Sequence, residues 1–203
     1  MKTRVYKTYE YKKIIEDLLN GDVVGFPTDT VYGLAIVYDS KEAFDKLYQI
    51  KNRSITKPIS MMVYDKKVLE NVAYIDKNSK KVIENLMPGA LTIILKAKED
   101  LPTHVTFNQQ TIGVRIPTNE VALNILKDIN KPLLVTSANI SNEPSLINSI
   151  DVKKVFDGLI YSMIDEDALG NEASTVVSVY DDIKILRKGS INIDEIKKVI
   201  ERD

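Results

Sequence analysis

The apolar positions fall into short blocks whose period changes repeatedly along the chain. Ile14, Ile15, Leu18 and Leu19 recur at helical spacing and stop at Asn20-Gly21, which predicts a first helix with glycine in the usual C-terminal position. "VVGFP" and "VYGLAIVY" are apolar, β-branched runs on either side of Thr28-Asp29-Thr30, a pattern of strand, polar turn and strand. Asp39 with Glu42 three residues on resembles a capping box, and Ala43, Phe44, Leu47, Tyr48 and Ile50 give the following helix its apolar face. Further strands are predicted at "ISMMVY", "ALTIILKA", "IGVRIP", "PLLVTSA", "GLIYSMI", "STVVSVY" and "IKILRK", with helices around residues 65–72, 76–87, 119–129 and 149–156. A last helix, with Asn192 and Glu195 as its cap, runs through Ile196, Val199 and Ile200. This interleaving predicts an α/β fold with a sizeable mixed sheet. No repeat, low-complexity tract or Pro/Gly/Ser-rich linker interrupts it, so residues 1–203 are read as one domain.

Length and composition narrow the function. A chain of 203 residues is long enough to bury a single large core. Lys plus Arg number 28 and Asp plus Glu 29, so no global basic field attracts nucleic acid or membrane, and any anion site has to be local. The lack of cysteine excludes disulfides and thiolate metal sites, and one His is too few for an ordinary zinc site, so no protein metal site is expected. "MKTRVYKTYEYKK" has no apolar signal core, and no run approaches the roughly 18 apolar residues of a membrane span. A soluble, untargeted, cytoplasmic protein with no membrane partner is expected.

Against this neutral background, "KNRSITKPIS" sets Lys51, Arg53 and Lys57 close together. Their shared parity places them on one face if the segment is extended, and Pro58 disfavours helix at Lys57. Full extension separates Lys51 from Lys57 by about 20 Å, at roughly 3.3 to 3.6 Å per residue, so either the loop curls or the anion is long. A nucleoside triphosphate meets both conditions and suits an Arg fork with Lys point charges. The plainer alternative makes Lys51 a cap on the negative end of the preceding helix and leaves Arg53 and Lys57 as solvated loop charges.

No G-x-x-x-x-G-K-[ST], G-x-G-x-x-G or G-x-S-x-G motif occurs, so a phosphate site has to use side chains. His104, in "EDLPTHVTFNQQ", reads as an exposed loop histidine rather than a base. Two polar stretches end apolar strands, where α/β sheets usually place ligands. "FPTDTVYGL" offers Thr28, Asp29 and Thr30, although such residues also make plain turns and Tyr32 also packs. "LLVTSANISNEPS" empties into Thr136, Ser137, Asn139, Ser141, Asn142 and Ser145, neutral groups suited to a ribose, a base edge or phosphate oxygens. "TIGVRIP" places Arg115 in an apolar strand, where its guanidinium has to reach water or meet an anion.

In this order along the chain, "FPTDTVYGL", "KNRSITKPIS", "MPGALTIIL", "TIGVRIP", "TSANISNEPS", "STVV" and "LRKGSI" resemble the motifs of the YrdC-type threonylcarbamoyl-AMP synthases, from residue 26 to residue 191. The resemblance implies a twisted mixed β-sheet flanked by helices around an open concave cavity. It implies synthesis of L-threonylcarbamoyladenylate from L-threonine, bicarbonate and ATP, with release of pyrophosphate. Its catalytic tetrad corresponds to Lys51, Arg53, Lys57 and Ser137. By the same matching, ATP lies among Arg53, Lys57, Thr111, Ser137, Asn139, Ser145, Ser174 and Arg187, and threonine among Thr30, Tyr32, Arg115 and Val135. Mg²⁺ is expected with ATP, held by phosphates and water rather than by a carboxylate cage. The product is expected to pass to the tRNA threonylcarbamoyl transferase machinery, with weak RNA binding as a further expectation. The chain departs from the pattern at Met62, where some relatives carry His, and is expected to be the short form without a second domain. Two rival readings share the fold: a carbamoyl-transfer domain of the hydrogenase-maturation type, and a non-catalytic RNA- or nucleotide-binding relative. The absence of zinc-finger cysteines counts against the first and near-neutral charge against the second.

Overall fold

The apolar blocks assemble into one eleven-stranded mixed sheet in a computed structural model that describes residues 2–202. Its strands are β1 (Arg4–Tyr6), β2 (Val24–Phe26), β3 (Gly33–Val37), β4 (Ser60–Met62), β5 (Ala73–Tyr74) and β6 (Leu91–Ala97). The rest are β7 (Thr111–Arg115), β8 (Leu133–Ser137), β9 (Ser162–Ile164), β10 (Thr175–Ser178) and β11 (Lys184–Arg187). Helices α1 (Tyr11–Leu19), α2 (Lys41–Ile50), α3 (Lys66–Val72) and α4 (Lys77–Leu86) lie between them, followed by α5 (Thr103–Thr106), α6 (Glu120–Ile129), α7 (Ser149–Phe156) and α8 (Ile193–Glu201). In space the order is β1-β9-β2-β3-β8-β4-β7-β6-β10-β11, with β5 paired to β6. The α/β class with helices flanking a mixed sheet is as expected. No helix among the described residues is long and apolar enough to cross a membrane.

Local details depart from expectation where a distant partner intervenes. The cap of α2 is Ser40, whose Oγ accepts from the Ala43 N–H at 3.3 Å, because the Asp39 carboxylate is taken by Lys131 at 2.9 Å. At α8 the Asn192–Glu195 capping box forms as predicted. Strands β1 and β5 and helix α5 are not legible in the pattern, since they are short; β1 owes its order to pairing with β9, Arg4 opposite Ser162. His104 lies on α5 rather than in an exposed loop, with Nε2 2.9 Å from the Tyr38 carbonyl oxygen and its ring edge-on to Phe44.

Register determines where a site can open. Val135 pairs with Ala35 and Ser60, Leu133 with Val37 and Met62, and Met62 in turn with Arg115, so all these side chains share one sheet face. Over the β3–β8 half of that face, Ile14 and Leu18 of α1 and Val121, Ile125 and Leu126 of α6 pack on Ala35, Val37 and Leu133. The β4–β7–β6–β10 half carries an open hollow instead. On the opposite face lies the larger core, where Phe44, Leu47, Val82, Ile83, Phe156 and Ile196 from the helices join Leu34, Ile36, Met61, Ile93 and Val114. Each large apolar side chain fully buried there contributes about 1.5–3 kcal/mol.

Candidate active site

The hollow is open to solvent on one side. It runs from the ends of β2 and β8 across the uncovered sheet face, rather than lying only at strand ends. Arg53, Arg115 and Arg187 line it together with the hydroxyls of Thr30, Ser60, Thr92, Ser137 and Ser174. Each guanidinium is oriented from behind. Arg53 donates from Nε to the Lys57 oxygen at 3.1 Å and from Nη2 to the Pro58 oxygen at 2.8 Å. Arg187 donates from Nε to the Ser174 carbonyl and from Nη2 to its hydroxyl, both at 2.9 Å. Arg115 donates from Nε to the Gly89 oxygen at 3.2 Å and from Nη1 to Thr30 Oγ1 at 2.8 Å, and its Nη2 lies 2.8 Å from Asp29 Oδ2. Burial, and then the charges of Arg115 and Arg53, lower the pKa of Arg187, so its guanidinium feels the other two across the hollow. Such a set favours an anion that relieves the repulsion.

The basic triplet does not form an extended face. Lys51 closes α2, Asn52 turns the chain at φ 48°, and the Lys57 N–H returns to the Ser54 oxygen at 3.0 Å, so the loop curls. Lys51 is 1% exposed and does not line the hollow, which corrects its assignment as a direct contact. Its Nζ donates to the Ser137 oxygen at 2.5 Å, the Asn139 carbonyl oxygen at 2.7 Å and Asn139 Oδ1 at 2.8 Å. Burial first, and then the charge of Arg53, push the Lys51 ammonium down to about 7, while its three oxygen acceptors favour the charged form. Lys57 stays exposed, with Nζ 2.9 Å from Asn142 Oδ1. Of the three cations, only Arg53 lines the hollow.

Thr30, Val135, Ser137, Ser174, Arg115 and Arg187 also line it. Tyr32 lies in the lining too, but its hydroxyl is not free: the side chain is fully buried and donates to the Ile164 oxygen at 2.5 Å. Asn139 is spent inside its own turn, accepting from Lys51 and Ser137 and donating to the Glu143 oxygen at 2.6 Å. Ser145 is half-buried outside the lining. Thr111 is exposed at the far end of β7 from Arg115 and belongs to a neighbouring hollow with Tyr180 and Leu186, so the structure does not bring it to the arginines. Met62 lines the hollow as an apolar wall. Sequence reasoning passed over Ser60 and Thr92, and left Asp29 open between a ligand-bearing stretch and a plain turn; Thr92, a polar residue in the apolar run "ALTIIL", was the one available signal for the first two. Among the described residues no group of three or more His, Asp or Glu side chains stands ready for a metal ion.

The Sua5/YciO/YrdC family model, whose description reads Telomere recombination, matches residues 16–189. The chain belongs to the Sua5/YciO/YrdC family. This Sua5/YciO/YrdC chain is 35% identical over 211 residues to a Methanocaldococcus jannaschii protein named provisionally as a threonylcarbamoyl-AMP synthase, covering 98% of this chain and 99% of that one. It is 35% identical over 187 residues to the Bacillus subtilis threonylcarbamoyl-AMP synthase, covering 90% of this chain and 54% of that protein. Among solved structures, P. abyssi Sua5 complexed with L-threonine matches with a TM-score of 0.87 at 29% identity, covering 98% of this chain and 60% of that one. The Sua5/YciO/YrdC chain therefore spans nearly all of the first relative and little more than half of the other two.

Proposed function

We propose that the chain is a threonylcarbamoyl-AMP synthase, which forms L-threonylcarbamoyladenylate from L-threonine, bicarbonate and ATP and releases pyrophosphate. The observation that carries this reading is the convergence of Arg53, Arg115 and Arg187 on one hydroxyl-lined hollow in a chain of net charge −1, within a family whose relatives bear that name. In the first step the amine nitrogen of threonine bonds to the carbon of bicarbonate and water leaves, giving a carbamate. A carbamate oxygen then attacks the α-phosphorus, the bond to the bridging oxygen breaks, and pyrophosphate departs. Negative charge grows on the phosphoryl oxygens and leaving group, so fixed cations and alignment supply most of the catalysis. Arg53 and Arg187 face the phosphates in this reading, and Arg115 with Thr30 faces threonine. Mg²⁺ enters as part of the ATP substrate. The product is a mixed anhydride, and the reading extends to its delivery to the tRNA threonylcarbamoyl transferase machinery.

The test is incubation with Mg²⁺, ATP, bicarbonate and labelled threonine, followed by mass detection of the adenylate and a pyrophosphate assay. Product and pyrophosphate should appear only when all three substrates are present. Pyrophosphate release with carbamoyl phosphate and no threonine would replace this reading with carbamoyl transfer, and nucleotide binding without product would leave a binding protein.

A further inference from the structure

The three arginines of the hollow differ in what holds them. Arg53 and Arg187 lean on neutral oxygens, those of Lys57, Pro58 and Ser174. Arg115 alone lies against a carboxylate, with both side chains of the Asp29–Arg115 pair less than a tenth exposed. No other ion pair among the described residues has both partners so buried. Asp29 Oδ1 is buried and has no hydrogen-bond partner, and Arg115 Nη2 faces Asp29 Oδ2 as an ion pair rather than an aligned hydrogen bond. The turn that carries it is backed by Gly170, where a Cβ would lie 2.8 Å from the Asp29 oxygen and 2.6 Å from the Thr30 oxygen. Only a residue without a side chain allows that close approach to the Asp29–Thr30 backbone.

We propose that Asp29 gives the hollow its direction: it offsets the attraction of Arg115 for phosphate and reserves that end for a singly charged carboxylate, leaving polyphosphate to Arg53 and Arg187. The inference rests on the synthase reading, in which an amino-acid carboxylate and a triphosphate have to be sorted within one cationic cavity. Coulomb repulsion scales with ligand charge, so a fixed carboxylate penalises pyrophosphate several times more than it penalises threonine, whose carboxylate still finds the Arg115 guanidinium. Asp29 acts through Arg115 and is a positioning residue.

Calorimetry on the full chain with pyrophosphate and with L-threonine, each alone and then together, tests this without requiring turnover. In the parent, saturating pyrophosphate should leave threonine binding intact. In Asp29→Asn, pyrophosphate should bind about tenfold tighter and displace threonine, because Arg115 is now free to take phosphate. Removing both charges in Asp29→Asn/Arg115→Met should abolish that gain. Displacement of threonine by pyrophosphate in the parent overturns the inference, even if the variants fail to fold, and so does unchanged pyrophosphate affinity in a folded Asp29→Asn. Failure of the synthase reading shows separately, as absence of adenylate from the parent.

Discussion

The ammonium of Lys51 lies 2.7 Å from the carbonyl oxygen of Asn139 and 2.8 Å from its side-chain Oδ1, with the Ser137 oxygen as a third acceptor. A cation at the end of α2 thereby ties together the turn that follows β8. The Ser141 N–H completes the junction by donating to the Lys51 oxygen at 2.9 Å. Lys51 bears on the hollow through Ser137, which lines it, and not by contact.

Lys51→Met keeps the apolar stem and removes the donors, leaving the Ser137 and Asn139 carbonyl oxygens short of a partner while Asn139 Oδ1 keeps the Ser137 hydroxyl. Each unsatisfied buried acceptor costs about 1–3 kcal/mol, partly offset by release of a buried charge. The expected outcome is a lower Tm together with weaker ATP binding, read from thermal melts and an ATP titration. An unchanged ATP affinity would show that the Ser137–Asn139 turn keeps its shape without the lysine.

The same group gives stability a pH dependence of known sign. With a folded pKa pushed down to about 7 and an ordinary value of 10.5, the folded chain binds fewer protons than the unfolded chain between those limits. Stability should therefore rise with pH from about 7 to about 10.5 relative to Lys51→Met, and the contribution is lost again as pH falls through 7. The full shift corresponds to at most about 5 kcal/mol, at about 1.36 kcal/mol per unit. Urea melts of parent and variant across this range decide it; parallel curves would mean that the three acceptors hold the ammonium charged throughout.

Arg53→Lys retains the charge and loses the planar fork that rests on the Lys57 and Pro58 oxygens. Adenylate formation and ATP affinity should fall by about tenfold or more, with the Tm of the empty protein within about 2 °C of the parent, because Arg53 sits at the surface end of a curled loop. Full activity in this variant would remove Arg53 from the phosphate site.

At Gly189 an added Cβ would collide with the Ala173 oxygen and stand 2.5 Å from the Thr175 nitrogen. Gly189→Ala therefore has to separate the segment after β11 from the start of β10, where Arg187 grips Ser174. A Tm loss of several degrees is expected, with a smaller ATP-induced Tm rise than in the parent. Retention of the full ATP-induced rise would place Arg187 outside the nucleotide site.

Much of the fold was legible because its determinants are local. The helix over 119–129 shows its apolar stripe, and Asn192–Glu195 announces α8 by a cap that needs only neighbours in sequence. The cationic character of "KNRSITKPIS" was legible too, but its geometry was not. A single positive φ at Asn52 cancels the parity argument, and burial against Ser137 and Asn139 turns Lys51 inward. Thr111 and Arg115 share a strand and a motif, yet stand at opposite ends of β7.

By itself the sequence determined the longer strands and helices, and that an anion site has to be local and built from side chains, because period, caps and net charge are properties of short windows or of simple sums. The tertiary structure decided which half of a sheet face stays uncovered, which arginines meet there, and that Asp29 joins one of them across 86 positions. Those outcomes depend on register and on pairings between distant residues, whose energies arise only once the strands are side by side.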